Sequence, residues 1–312
     1  MPGPGRLPSV VTDRHGRSFA ERTCGRQREQ DMTTDAAPTT PDTIVLIHGL
    51  WMTPLSWEHW VDRYTSRGYQ VLAPAWPGMD GDIEELRRDP SAVAGLGVTE
   101  IVDHYDAIIR KLDRPPIIMG HSFGGLFTQI LLDRGLGAAG VAIDSAPVKG
   151  ILLLPFSTLK VAFPALRNPA NLHRAMALTP EQFHYAFANT LSEEESRAAY
   201  DRYAVPGPDH LLFQASLANF NPHAPTAVDF HNDDRAPLLL IAGGQDHIAP
   251  ASVTEANFKL YRRSKAVTDY QEFPDRPHFT VGAPGWEEVA DYALDWARRA
   301  AESGPRPAMQ PA

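Results

Sequence analysis

The hydrophobic pattern alternates between two periods along most of the chain. Short apolar runs rich in β-branched residues occur at Thr43–Ile47, 70–75, 117–119, 140–143, 238–242 and 266–273. Some are apolar at every position, as in Ile44-Val45-Leu46-Ile47 and Leu238-Leu239-Leu240-Ile241, which marks a strand covered on both faces. Between these runs the period lengthens to that of a helix. Residues 56–66, 99–112, 126–133, 251–262 and 287–301 read as helices; in the second, Ile101, Tyr105, Ile108 and Leu112 share one face. Gly68 ends the first, and Pro115-Pro116 stops the second. Strands alternating with helices at this spacing predict right-handed βαβ units. The expected fold class is therefore α/β, a mostly parallel sheet flanked by helices.

The alternation breaks at 148–235. That stretch reads as helices over about 159–163, 169–176, 180–189, 193–203 and 209–219. Thr179-Pro180-Glu181-Gln182 and Ser192-Glu193-Glu194-Glu195 provide capping boxes for two of them. An insertion of about 85 residues is too long for a loop, so a helical cap is expected there, with 42–147 and 236–301 as the core. Residues 1–41 are Pro/Gly-rich and then Arg-scattered, without periodicity, and read as a disordered extension; Met32 is the expected natural start. Residues 302–312 read as a flexible tail.

Composition narrows the function. The 43% apolar content suits a sizeable core. A net charge of −9 argues against nucleic acid or an anionic membrane as partner. Cys24 is alone, so no internal disulfide forms. No apolar run approaches the ~18 residues needed to cross a bilayer, and the N-terminus lacks a signal-peptide core. The expected location is cytoplasmic. No Cys/His cluster has zinc spacing, and neither a metal nor a cofactor is expected.

The chemistry is concentrated at Gly120-His121-Ser122-Phe123-Gly124. A strand precedes it and a helix follows, which is the setting a G-x-S-x-G nucleophile elbow requires. Glycines two residues either side of the serine let strand and helix approach each other closely, and the helix N-terminus directs amide N–H groups at the reacting centre.

With these residues, His48-Gly49 after the first strand, Asp246 after a late strand and His278 near the end, residues 42–301 resemble the α/β-hydrolase superfamily. The order Ser, Asp, His is the one that superfamily uses. The resemblance implies an α/β-hydrolase fold with a cap. It makes Ser122 the nucleophile, His278 the base and Asp246 the acid, with Asp144 as the alternative acid. It places the oxyanion donors on the backbone of Leu50 and Phe123, with Trp51 and Met52 lining the acyl side. His48 and His121 then look structural, and His247 is a rival imidazole. His184, His210, His223 and His231 read as surface or pocket-wall residues, and Trp57, Trp60 and Trp76 as core and pocket wall. The implied activity is cofactor-free hydrolysis of a carboxylic ester or lactone of a small to medium apolar substrate. A lyase of the hydroxynitrile-lyase kind, a thioesterase, a carbon–carbon bond hydrolase and a non-catalytic ligand receptor remain alternatives.

Overall fold

The computed structural model describes residues 41–153 and 155–303. The expected disorder of residues 1–40, the proposed start at Met32 and the tail beyond residue 303 lie outside the described residues. The chain enters through β1 (Thr43–Ile47), α1 (Glu58–Ser66), β2 (Gln70–Leu72), α2 (Ile83–Arg88) and α3 (Val98–Ile109). It continues through β3 (Ile117–His121), α4 (Phe123–Asp133) and β4 (Ala139–Ile143). The insertion carries α5 (Phe156–Leu166), β5 (Ala175–Met176), α6 (Pro180–Ala186), α7 (Glu193–Tyr203), β6 (Gly207–Pro208) and α8 (His210–Ser216). The core resumes with β7 (Leu238–Gly243), α9 (Ala251–Tyr261), β8 (Thr268–Phe273) and α10 (Trp286–Ser303).

Six strands form one parallel sheet in the order β2-β1-β3-β4-β7-β8. The four inner strands are buried at every position, as uninterrupted apolar runs require. The edge strands β2 and β8 are only partly covered and mix polar with apolar residues. Strand order reverses between β1 and β3. A crevice therefore opens beyond their C-terminal ends, where open α/β sheets take their ligands. The aromatic side of the core fixes the closing helix. Trp57, Trp60 and Tyr64 pack edge to face, the Trp60 indole N–H donates to the Val281 carbonyl at 2.8 Å, and the Tyr64 hydroxyl donates to the Ala290 carbonyl at 2.8 Å.

The elements depart from the pattern in informative places. β2 stops at Leu72 instead of 75, because Pro74 has no N–H to continue a ladder. α4 begins at Phe123, three residues before the apolar periodicity starts, since the elbow itself launches the helix. The expected helix at 169–176 is a 3₁₀ turn, Pro169–His173, capped by Asn168 and followed by β5. β5 pairs antiparallel with β6, a two-stranded ribbon with no periodic signal in the sequence. α5 runs longer than expected, α6 ends at Ala186, and α8 gives way to a 3₁₀ turn at Ala218–Phe220. Both capping boxes form. Among the described residues, no helix is long and apolar enough to cross a membrane.

Candidate active site

Ser122 occupies the first position past β3, at φ 56° and ψ −119°. A serine reaches that region only under constraint, and its neighbours supply it. Its N–H donates to the Ile143 carbonyl at 2.9 Å, and its carbonyl accepts from Gly125, Leu126 and Ala146. A side chain on Gly120 would collide with the Gly124 carbonyl, and one on Gly124 with the Ile47 carbonyl, so both positions must lack a Cβ. Among the described residues only Trp51, Ser122 and Asp144 combine a positive φ with a side chain. All three follow the ends of β1, β3 or β4, so backbone strain is concentrated at one rim of the sheet.

His278 lies in the turn after β8, and its Nδ1–H donates to Asp246 Oδ2 at 2.6 Å; both side chains are fully buried. Asp246 Oδ1 accepts from the backbone N–H of Ile248 (2.6 Å) and Ala249 (2.9 Å), so both carboxylate oxygens are engaged. With Nδ1 carrying the proton, Nε2 holds a lone pair, and that atom has no partner in the structure. Burial holds the imidazole well below its ordinary value, which keeps it neutral at pH 7. Burial also pushes the Asp246 carboxyl up, opposed by the two backbone N–H groups. The His278 ring stands edge-on to Phe187 at 4.9 Å between centroids, and the Phe279 N–H donates to the Phe187 carbonyl at 2.8 Å.

Asp144, the alternative acid, makes a different contact. Its Oδ1 accepts the Gly243 N–H at 2.6 Å, joining the ends of β4 and β7, and its Oδ2 has no hydrogen-bond partner. Burial and the nearby Asp246 raise its pKa well above the usual carboxylate range. His121 Nε2–H donates to the His278 carbonyl at 2.7 Å and so holds that turn. His48 is spanned by Gly49 and Trp76, donating to the carbonyl of one from Nδ1 and accepting the N–H of the other at Nε2. Burial lowers its pKa to about 3, so it stays neutral. Both histidines are engaged in framework bonds. His247 turns away to the insertion, its Nδ1 2.8 Å from the Tyr185 carbonyl. His210 bonds the Gly95 carbonyl, and His223 and His231 are exposed.

His121, Asp144 and His278 each offer an atom within 4.8 Å of the other two, the only such trio among the described residues. A metal bound there would take an imidazole lone pair that proton transfer needs.

A cavity of about 320 Å³ reaches Ser122. Leu50, Trp51 and Phe123 form its base; Leu159, Val161, Leu212 and Phe220 of the insertion form much of its wall. Among the described residues, no charged side chain lines it. A second, more open cleft of about 530 Å³ is lined by Glu195, Gln245, Asp275 and Arg276 and does not include Ser122. Met52 corrects the expectation that it lines the acyl side. It is fully buried in the core and absent from the cavity wall, because the chain turns at Trp51, with φ 66°, and carries the next residue inward. Phe187 and Gly207, which pack on His278 and on Leu50, were not singled out from the sequence. Phe187 was one aromatic among many in the insertion, and nothing local distinguished Gly207.

Comparison with solved structures returns the same architecture at low identity. A monoacylglycerol lipase of Paleococcus ferrophilus is 21% identical with a TM-score of 0.58, over 84% of this chain and 96% of that one. An extracellular alpha/beta-hydrolase from a Paenibacillus species is 20% identical with a TM-score of 0.59, over 83% and 100%. A methylesterase from Arabidopsis is 13% identical with a TM-score of 0.55, over 81% and 98%. No curated protein matches the sequence. The sequence model described as the Alpha/beta hydrolase family matches residues 44–292, from β1 into α10. The chain belongs to the alpha/beta hydrolase family.

Proposed function

We propose that the protein is a serine hydrolase that cleaves the carboxylic ester or lactone of a small to medium apolar substrate through an acyl-enzyme on Ser122. The observation that carries this reading is the buried 2.6 Å contact between His278 Nδ1 and Asp246 Oδ2, which leaves the Nε2 lone pair free as a base. A serine hydroxyl is a weak nucleophile until such a base takes its proton. His278 Nε2 accepts the Ser122 hydroxyl proton as Oγ attacks the carbonyl carbon. Asp246 keeps the imidazole in the required tautomer and stabilises the imidazolium that forms. The Phe123 N–H, in the first turn of α4 where no intrahelical acceptor exists, and the Leu50 N–H bind the developing oxyanion. His278 returns the proton to the departing alkoxide. Water, deprotonated by the same nitrogen, then attacks the acyl-serine, and the acid product leaves with Ser122 regenerated.

The uncharged cavity supports an apolar acyl group, walled by residues 148–235 acting as a cap. The lipase and the methylesterase among the structural neighbours are consistent with ester cleavage. The test is Ser122→Ala, assayed on p-nitrophenyl butyrate beside labelling by a fluorophosphonate. Both signals should vanish with the thermal midpoint unchanged; hydrolysis retained in Ser122→Ala overturns the proposal.

A further inference from the structure

The turn that bears Leu50 is not self-supporting. Trp51 holds φ 66°, a region that large side chains rarely enter and that persists only when the surroundings over-determine it. The surroundings are the insertion. The Trp51 indole N–H donates to the Met176 carbonyl in β5 at 3.1 Å. The Trp51 carbonyl accepts the Val205 N–H, just before β6, at 2.9 Å. Met176 and Gly207 are register partners in the β5–β6 ribbon, so both contacts come from one small unit. Gly207 lies directly against the turn: a Cβ there would stand 2.5 Å from Leu50 Cδ1 and 3.1 Å from the Trp51 nitrogen.

The ribbon is itself tied down where the chain enters β6. Arg87 of α2 donates to the carbonyls of Tyr200, Asp201 and Ala204, at 3.0, 2.9 and 3.0 Å, and so closes the C-terminal end of α7 immediately before β6. Glu58 of α1 accepts from Arg202 and from the Tyr203 hydroxyl. These bonds run from core helices to the insertion, and they fix the ribbon against β1's exit.

We propose that the β5–β6 ribbon is a permanent brace for the Leu50–Trp51 turn, and that Trp51 and Gly207 are positioning residues for the oxyanion donor at Leu50. The proposal rests on the serine-hydrolase reading and adds to it. This part of the insertion belongs to the catalytic apparatus, whereas the remainder shapes the cavity. A donor is useful only if it is already aimed at the oxyanion position when charge develops there, so a small displacement of Leu50 weakens transition-state binding more than substrate binding.

The experiment uses the full chain and p-nitrophenyl butyrate, with kcat and KM measured separately and the thermal midpoint recorded. Gly207→Ala should lower kcat by about 10- to 100-fold, a part of the ~10²–10³ that complete loss of one oxyanion donor brings, with KM within about twofold. Leu50→Ala removes Cδ1 and leaves the backbone donor. In that background the loss caused by Gly207→Ala should shrink to within about threefold, as expected of two groups that touch. Trp51→Phe keeps an aromatic ring at the turn but loses the N–H to Met176 together with the second ring of the indole. It should lower kcat several-fold at unchanged KM, and it serves if Gly207→Ala fails to fold. Unchanged kcat in both single variants, equal losses in both Leu50 backgrounds, or losses confined to KM would overturn the brace while leaving the hydrolase reading intact. Hydrolysis surviving in Ser122→Ala would remove that reading instead.

Discussion

The rim of the sheet and the insertion above it face the same cavity but are built on opposite principles. On the rim, Ser122, Asp246 and His278 stand at strand ends or in the turns that follow them, each locked by backbone bonds. Of the buried rim atoms left without a partner, which include Asp144 Oδ2 and His121 Nδ1, His278 Nε2 is the one the proposed chemistry uses. The insertion is held by local devices, namely two capping boxes, 3₁₀ turns and a two-residue ribbon, and by ties from Arg87 and Glu58 of the core. It also leaves Leu152, Phe156 and Phe220 more than three-quarters exposed, with Leu152 and Phe220 on the cavity wall. The contrast separates two duties. Rim residues should govern the rate of the chemical step, and wall residues should govern which substrate is accepted, with the ribbon under Leu50 and Phe187 against His278 as places where the insertion reaches into the rate.

The strongest way to break that division is at the acid. Asp246→Asn should lower kcat by about 10⁴-fold, because an amide cannot hold the tautomer or stabilise the imidazolium. Asp144→Asn should stay within about tenfold, since its bond to Gly243 N–H can be kept by the amide oxygen. The reverse ranking, read from kcat on p-nitrophenyl butyrate, would move the acid to the end of β4. On the wall, Ala215→Phe should cut kcat/KM for a decanoate ester by more than about tenfold and leave an acetate ester within about threefold, as a filled apolar pocket discriminates by size. Equal losses on both esters would show that the wall acts on the rate as well.

The pH profile sharpens the rim's side of the comparison. Because burial depresses the His278 pKa, the neutral base persists as pH falls, and the acid limb of kcat/KM should lie below the ordinary imidazole value of about 6.5. A limb at or above 6.5 would mean that the imidazole is solvated in the working enzyme. The smallest effect concerns the insertion's own stability. Asp209 is buried, neither carboxylate oxygen has a partner, and burial raises its pKa to about 6. An acid whose folded pKa is raised is most compatible with folding below its unfolded value, and that compatibility is lost as pH climbs through about 6. Asp209→Asn should therefore stabilise the protein by about 1–3 kcal/mol at pH 8, with the gain vanishing near pH 4, measured by urea unfolding.

The same contrast explains what could be read from the sequence. The inner strands were visible because burial on both faces demands uninterrupted apolar runs, as in Leu238-Leu239-Leu240-Ile241. The elbow was visible because the crowding at Gly120 and Gly124 admits only glycine. The 2.6 Å meeting of His278 with Asp246 had a signal too, since each residue follows a recognisable strand. The insertion's tertiary contacts had none. β5 and β6 are two residues long, too short to carry a period, and Gly207 is distinguished only by what stands opposite it in space. Met52 was misplaced because the inward turn depends on the φ of Trp51, which the side-chain pattern does not encode.

That no charged side chain among the described residues lines the cavity bears on turnover as well as on binding. Under the proposed reaction a neutral ester enters and a carboxylic acid forms, which ionises in water at neutral pH. Its anion finds no lysine or arginine among the described wall residues to offset the loss of hydration, so the pocket that welcomed the reactant disfavours its ionised product. The accumulated carboxylate product should then be a poor inhibitor, and its release should be fast, because the described lining contains nothing to hold an anion.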